Sequence, residues 1–367
     1  MDRINIFFHL ASNTMRSDFL KNPIDVIRPN LFGTVNLLEY AMQNRAEYFL
    51  LASSMSIYGT QNSKEFITED DYGYVDLQNP ETSYDEAKRM AESLCVAYGR
   101  ICDMNIGIAR IGGTYGINMR SDSLMAVNVM LRQALESGLI NIINPNVWRA
   151  NTYVSDIVIG VFYILFFGKK CHAYNVSNTS EYMSMLNLGR IIAEVTEAKL
   201  AVNKTYVAPR LEKMALDSAK LKQLGYTPTT STLKGIIKMY KYMTNSPDLS
   251  RIVDEDINSI IEDVGLKKSW HKLDGKTALI TGATGMIPHY VVHTLMRLET
   301  IGIRVNVIAS GRSQERLKAK FAAHLNKHNF RIIAHDISER FSVSCLKLLG
   351  GGGGGGGGGV FLVGRGP

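Results

Sequence analysis

The sequence predicts an α/β fold, a doubly wound parallel sheet with a smaller α/β lobe, on three observations. Short apolar runs at Ile4–Leu10, Glu47–Ser53 and Asn105–Ile111 alternate with longer stretches of helical spacing. That βαβ rhythm belongs to a parallel sheet covered on both faces. The rhythm restarts at residue 275, and there a glycine-rich turn, Thr281-Gly282-Ala283-Thr284-Gly285-Met286-Ile287, follows the strand-like run Thr277–Ile280.

Taken in order, Ile4–Leu10 is continuously apolar and suits a strand buried on both faces. Pro23–Gln43 carries Val26, Ile27, Phe32, Leu37 and Leu38 at helical spacing, and Glu47–Ser53 is the next strand. Pro80–Cys102 is a helix entered through Pro80, with Thr82 and Ser83 as caps, and Asn105–Ile111 is a strand. Residues 1–115 therefore read as one half of the main domain. Residues 116–243 read as the smaller lobe over the sheet's C-terminal edge, with a buried helix at 155–167 and helices at Ser184–Glu197 and Thr232–Met243.

Residues 244–274 are polar and charged, with a weak helical pattern at Ile252–Val264, and read as a linker or accessory helix. Residues 275–341 hold the other half: strand Thr277–Ile280, helix Ile287–Thr300, strand Arg304–Ala309, helix Ser313–His328 and strand Arg331–His335. In 342–367, Gly350 to Gly359 are consecutive glycines, which bury no surface and lose the most entropy on ordering, so a disordered tail is expected. A run of guanine in the coding DNA would also read as glycine, so a sequence artefact is the alternative.

The chain has 367 residues, 46% hydrophobic, enough for one large α/β domain or two smaller ones. Net charge is +7, which suits an anionic ligand, but the basic residues are dispersed and form no stripe interleaved with aromatics. Nucleic-acid binding is therefore not expected. Cys95, Cys102, Cys171 and Cys345 show no paired spacing and read as reduced thiols of a cytoplasmic protein. The eight histidines show no ligand spacing, so no metal is expected. The longest apolar run, Ile157–Phe167, is far short of the roughly 20 residues that cross a bilayer, and Ile4–Leu10 lacks the basic flank of a signal peptide. No membrane association is expected.

The glycine turn carries the first chemistry. Gly282 and Gly285 let the backbone turn tightly and approach a pyrophosphate, whose charge rests against the N-terminus of the following helix. Thr284, Met286 and Ile287 share that contact, which points to a dinucleotide cofactor, NAD or NADP. Pro288 stands where a third glycine is expected. An acidic residue after the next strand would accept the ribose 2′-hydroxyl of NAD; Ser310-Gly311-Arg312-Ser313 is better suited to a 2′-phosphate. The alternative for Arg312 is a solvated helix-start residue. Asp336 and Ile337 follow the third strand, placed to touch the adenine.

Tyr84 and Lys88 are four apart on a predicted helix and share a face. A lysine ammonium beside a phenol stabilises the phenolate and readies it for acid–base work. Ser54, at the end of a strand, can hydrogen-bond the same reacting oxygen.

With these residues the chain resembles the extended short-chain dehydrogenase/reductases of Rossmann type, in their NAD(P)-dependent nucleotide-sugar epimerase/dehydratase branch. The resemblance covers roughly 1–243 and 275–341. It also rests on His9-Leu10-Ala11-Ser12, Asn30-Leu31-Phe32-Gly33-Thr34, Arg110 with Tyr115-Gly116, Tyr153-Val154-Ser155-Asp156 and Leu216-Asp217-Ser218-Ala219-Lys220. It implies that Tyr84 is the acid/base, that Lys88 also holds the nicotinamide ribose, and that Ser54 orients a sugar hydroxyl. It implies further that Leu10, Ala11 and Ser12 line the cofactor, and that Arg149 contacts the diphosphate of a nucleotide-diphosphate sugar. A homodimer through Pro23–Gln43 and Pro80–Cys102 is implied as well.

Two departures bear on the reaction. Dehydratases of this branch carry Asp-Glu directly after the catalytic Ser/Thr and decarboxylases keep the Glu; here Met55 and Ser56 stand there. That points to an epimerase or simple keto-sugar oxidoreductase, with dehydratase, decarboxylase or 4-keto reductase chemistry as alternatives, and an idle dinucleotide-binding protein as a further one. Gly113 replaces a substrate-contacting Asn, and Ile117 a Pro. The motif order is the third departure, since the glycine turn follows Tyr84 and Lys88 where the family places it first. The chain is expected to be circularly permuted or a hybrid of two partial genes. Extended, residues 244–274 would span roughly 100 Å, enough to join the old termini.

Overall fold

The computed structural model describes residues 3–60, 64–203, 213–245 and 249–341. The polyglycine tail and Cys345 lie outside the described residues. Seven strands build the main sheet: β1 (Ile6–His9), β2 (Tyr48–Ser54), β3 (Asn105–Ile111), β4 (His172–Val176), β5 (Thr277–Ile280), β6 (Asn306–Gly311) and β7 (Phe330–Ala334). Their spatial order is β7-β6-β5-β1-β2-β3-β4, and every neighbouring pair is parallel. The chain thus winds outward one way through β1 to β4 and the other way through β5 to β7. The reversal falls between β1 and β5, where Phe7 pairs with Leu279 and Phe8 with Ile280. A crevice opens at such a switch point, beyond the carboxyl ends of the strands.

Both central strands are buried along their whole length, as continuous apolar runs require. Alternate residues feed two cores. Phe7, Phe49, Leu279 and Ile308 pack against Leu37, Leu38 and Ala91 on one face, and Phe8, Leu50, Ala278 and Ile280 join the larger core around Phe162 on the other. Each such side chain stabilises the fold by roughly 1.5–3 kcal/mol relative to exposure.

Several local readings shift. The predicted Pro23–Gln43 helix divides into Pro23–Ile27, a π turn at Arg28–Phe32 and Gly33–Gln43. Pro29 lacks the N–H that a regular turn would send to the Asp25 carbonyl, and Asn30 Nδ2 donates to the Val26 carbonyl at 2.8 Å. The helix expected from Pro80 opens with a 3₁₀ turn, Pro80–Thr82, before Ser83–Ile101. Capping therefore moves back to Asn79, whose side chain accepts from the Glu81 N–H at 3.0 Å; Thr82 donates to the Asp76 and Asn79 carbonyls and is no cap. The predicted Ser313–His328 helix stops at Lys320, because buried Phe321 turns inward against Phe330 and the chain must bend to enter β7.

The smaller lobe holds Gly113–Tyr115, Trp148–Tyr153, Lys213–Leu216 and Phe66–Ile67 in one sheet, and Leu139–Ile142 with Lys199–Val202 in another. β4, from the same stretch of sequence, joins the edge of the main sheet. Residues 249–273 form the helix Leu249–Ile261, a turn at Val264–Lys267 and a 3₁₀ turn at Trp270–Leu273. Their apolar face is in the core: Ile257, Ile260 and Trp270 are buried, and Trp270 meets Phe162 edge-on at 4.9 Å. Among the described residues no helix is long and apolar enough to cross a membrane. Nor does any group of three His, Cys, Asp or Glu among them stand where it could hold a metal.

Candidate functional site

A cleft of about 2230 Å³ opens at the β1/β5 reversal and continues between the main sheet and the smaller lobe. The glycine turn forms one wall. Gly282 has φ +65°, and a Cβ there would stand 2.7 Å from the Ala11 Cα, so only glycine lets the turn lie against the chain leaving β1. Thr281 secures the contact, its hydroxyl oxygen accepting from the Leu10 and Ala11 N–H groups at 3.2 and 3.1 Å. The helix Met286–Arg297 begins at Gly285, with no side-chain cap and no acidic residue in its first turn. Its first N–H groups are left for an anion in the cleft, and its dipole favours one there. That wall fits a dinucleotide pyrophosphate.

The facing wall comes from β2 and the helix Ser83–Ile101. Ser54 ends β2 and caps the 3₁₀ turn Met55–Tyr58 by accepting from the Ser56 N–H at 3.2 Å. Tyr84 and Lys88 project one turn apart, both buried, with the Lys88 ammonium 5.9 Å from the centroid of the Tyr84 ring. Burial raises the Tyr84 pKa above its ordinary value, and hydrogen bonding to Ser54 and Ser12 opposes that rise. Burial lowers Lys88 to about 8, with Glu92 acting the other way. Lys88 Nζ is anchored on the Ala52 carbonyl at 2.8 Å, and Phe19 stacks on the Tyr84 ring at 5.0 Å.

Behind Tyr84, the Ser12 hydroxyl donates to Asn30 Oδ1 at 2.7 Å. Buried His9 bridges Thr34 and Thr281 through its two ring nitrogens at 2.9 and 3.3 Å, and burial, then the nearby Lys88 charge, depresses it to about 3. At neutral pH it is uncharged, and it ties the Gly33–Gln43 helix to the glycine turn. Beneath Lys88, Glu92 pairs with Arg110 at 2.8 Å and accepts from Ser53; Arg110 also donates to the Tyr58 hydroxyl at 2.9 Å. Tyr58 in turn donates to Asn175 Oδ1 at 2.6 Å. This connected set holds β2, β3, β4 and the Ser83–Ile101 helix in one arrangement. Asp156 lies apart from the cleft, accepting from the Thr229 and Thr230 N–H groups at 3.0 and 3.1 Å. Burial raises it to about 6.

The candidate catalytic, cofactor and diphosphate residues line this one cleft. Ser54, Tyr84 and Lys88 stand on one wall; Gly282, Thr284, Gly285, Met286 and Ile287 stand on the other. Leu10, Ala11 and Ser12 lie between them, Arg312, Asp336 and Ile337 at the β6 and β7 end, and Arg149 at the lobe end. Asn36 Nδ2 donates to the Ile337 carbonyl at 2.9 Å, tying the Gly33–Gln43 helix to the chain after β7. Sequence reasoning missed Phe19, and also Arg316 and Lys320, which follow Arg312 at helical spacing into the same cleft. Lys320 reaches across to Asn118 of the lobe. The four-residue spacing of 312, 316 and 320 was the available signal.

Residues 1–177 match the NAD dependent epimerase/dehydratase family. UDP-glucuronic acid decarboxylase 6 of Arabidopsis thaliana is 31% identical over 238 residues, 64% of this chain and 68% of that protein. UDP-glucuronic acid decarboxylase 1 of Danio rerio is 28% identical over 245 residues, 66% of this chain; the chain spans only 57% of that relative's length. Among solved structures, UDP-glucuronic acid 4-epimerase from Bacillus cereus in complex with NAD is similar in fold, with a TM-score of 0.55 and 24% identity over 67% of this chain and 74% of that one.

Proposed function

The chain belongs to the NAD dependent epimerase/dehydratase family, and on that premise we propose that it inverts a carbon of a nucleoside-diphosphate sugar through a keto intermediate. One observation carries this reading: Ser54, Tyr84 and Lys88 meet across a single cleft from an uncapped helix N-terminus at a glycine turn. Gly282, Thr284, Gly285, Met286 and Ile287 hold the pyrophosphate of NAD or NADP; Asp336 and Ile337 hold the adenine, and Leu10, Ala11 and Ser12 the span between. When bound, the nicotinamide supplies the hydride acceptor and donor. Arg312 favours NADP by meeting a 2′-phosphate.

Tyr84 takes the proton of the sugar hydroxyl as its C–H hydrogen leaves as hydride, and returns it when hydride comes back to the other face of the ketone. Lys88, as a cation one helical turn from the phenol, favours the phenolate that this step forms and holds the nicotinamide ribose. Ser54 orients the sugar hydroxyl, and Arg149 neutralises the diphosphate. Decarboxylation of a UDP-uronic acid is the second reading, favoured by the decarboxylase relatives. Against it stand Met55 and Ser56, which supply no acidic group beside Ser54.

We read the strand order as a circular permutation. Residues 275–341 supply the first three strands of the nucleotide-binding domain and 1–115 the rest; 116–243 form the substrate lobe, and 249–273 connect the former ends. A hybrid of two partial genes is the competing origin. Homodimerisation through the Pro23–Gln43 and Pro80–Cys102 segments is favoured by exposed Ile24, Phe32 and Met90 on them; a cytoplasmic location goes with the reduced thiols. Incubating the protein with NAD or NADP and UDP-sugars, and reading products by NMR, tests the chemistry. An epimer is expected; release of carbon dioxide from UDP-glucuronic acid, or no conversion of any sugar, would overturn it.

A further inference from the structure

Phe19 lays its ring on the ring of Tyr84. The two centroids are 5.0 Å apart and the planes are inclined by only 13°. Tyr84 is buried, whereas Phe19 is half-buried and lines the cleft, so its ring covers one face of the phenol. Phe19 comes from the short helix Arg16–Lys21, in the stretch that follows β1. Hydrogen bonds hold that stretch in shape. Asn13 Nδ2 donates to Asp18 Oδ2 at 3.0 Å, and Asn13 Oδ1 accepts from the Met15 N–H at 3.1 Å. The Asn22 N–H donates to the Asp18 carbonyl at 2.8 Å, and the short helix lies against the Pro80–Thr82 turn that leads into the Tyr84 helix.

Two consequences follow for an acid–base phenol. Such a group works only with its oxygen within about 2.6–3.2 Å of the proton it moves, and a tyrosine ring can pivot about its side-chain bonds. Ser54 and Ser12 restrain the Tyr84 hydroxyl by hydrogen bonds, and Phe19 restrains the plane of the ring that carries it. The second consequence is electrostatic. Phe19 brings neither charge nor a hydrogen-bond donor to the face it covers, whereas water there would solvate a phenolate. Charge around the phenol comes from its own helix, as Lys88, 5.9 Å from the ring centroid, and as Asp85, which raises Tyr84. The β1 and β2 sides add the neutral hydroxyls of Ser12 and Ser54, with His9 uncharged behind them, and the Phe19 segment adds Asp18, tied to Asn13.

We propose that Phe19 is a positioning residue for the reaction: its ring fixes the plane of the Tyr84 phenol and keeps water from that face. The inference rests on the reading of Tyr84 as the acid/base. The test measures kcat and kcat/KM against pH for wild type, Phe19→Tyr, Phe19→Leu and Phe19→Ala on the UDP-sugar that the wild type converts fastest, with dinucleotide affinity measured on each. Phe19→Tyr keeps the ring and should match the wild type. Phe19→Leu keeps an apolar cover without a flat ring, and should lower kcat by about tenfold with the ascending limb of the pH profile unmoved. Phe19→Ala should lower kcat at least as far and carry that limb about half a pH unit or more downward, because water then reaches the phenolate. Dinucleotide affinity should stay at the wild-type value throughout. Wild-type rates in both truncated variants, an unmoved limb in Phe19→Ala, a loss that Phe19→Tyr shares, or a loss matched by weaker dinucleotide binding would overturn the role of Phe19 alone. No turnover of any UDP-sugar by the wild type would overturn it together with the proposed function.

Discussion

Replacing Asp256 with alanine should destabilise the protein far more than its place in a charged stretch suggests. Asp256 lies fully buried on the Leu249–Ile261 helix, and its Oδ2 accepts from the Tyr153 and Tyr290 hydroxyls, both at 2.8 Å. Lys238 pairs with Oδ1, and the two side chains are only 12% and 1% exposed, so water screens the pair little. One carboxylate thereby ties together the Trp148–Tyr153 strand and the helices Thr232–Met243, Leu249–Ile261 and Met286–Arg297. Its loss strands a buried ammonium, which costs about 3–5 kcal/mol, and leaves two phenols without their acceptor, each worth roughly 1–3 kcal/mol before relaxation. We expect Asp256→Ala to lower the unfolding free energy by about 5 kcal/mol in urea titrations, with Asp256→Asn losing about half as much. The double variant Asp256→Ala with Lys238→Met should recover about 2 kcal/mol, because the stranded charge is gone. A loss below about 1 kcal/mol in the alanine variant, or strict additivity in the double, would refute the argument.

Stability should fall in mild acid. His9, His289 and His293 are depressed to about 3, 2 and 3 in the folded protein, chiefly by burial, so only the unfolded chain takes up their protons below pH 6.5. Each loses about 1.4 kcal/mol between pH 7.5 and 5.5. Asp156, raised to about 6, acts oppositely: its contribution is full below pH 3.8 and is lost as pH rises through 6, so it regains about 1 kcal/mol on the same descent. The net loss is about 3 kcal/mol, and an unchanged urea midpoint at pH 5.5 would contradict it. Arg312→Glu should weaken NADP binding by about tenfold or more while affecting NAD less; equal losses by calorimetry would remove Arg312 from the 2′-phosphate. Tyr84→Phe and Gly285→Asp, each inactive, should stay inactive when co-refolded, since one chain holds both walls of the cleft. Recovered turnover would show walls exchanged between chains.

Much of the fold was legible because strong periodicity survives in single segments. Asn105–Ile111, Thr277–Ile280 and Thr232–Met243 have the boundaries read from sequence. Segments fail where tertiary demands override local pattern. Phe321 ends a helix by turning into the core, and Pro29 forces a π turn into what reads as one helix. Residues 244–274 read as a linker or accessory helix because they are rich in charge, whereas one of those charged residues, Asp256, is the buried group that fixes the segment. The cleft wall carrying Ser54, Tyr84 and Lys88 was readable, since a four-residue helical spacing and a strand end carry chemistry locally. Phe19 was not, because its stacking on Tyr84 depends on packing between segments far apart in sequence.

The turnover of Tyr84→Phe beside the wild type, with cofactor affinity measured on both, tests the central claim most directly. General acid–base catalysis by one group contributes about 10²–10⁴-fold. The variant should therefore convert any accepted nucleotide sugar at least about a hundredfold more slowly, with the dinucleotide bound as before. Full activity in Tyr84→Phe on every accepted sugar would contradict the account.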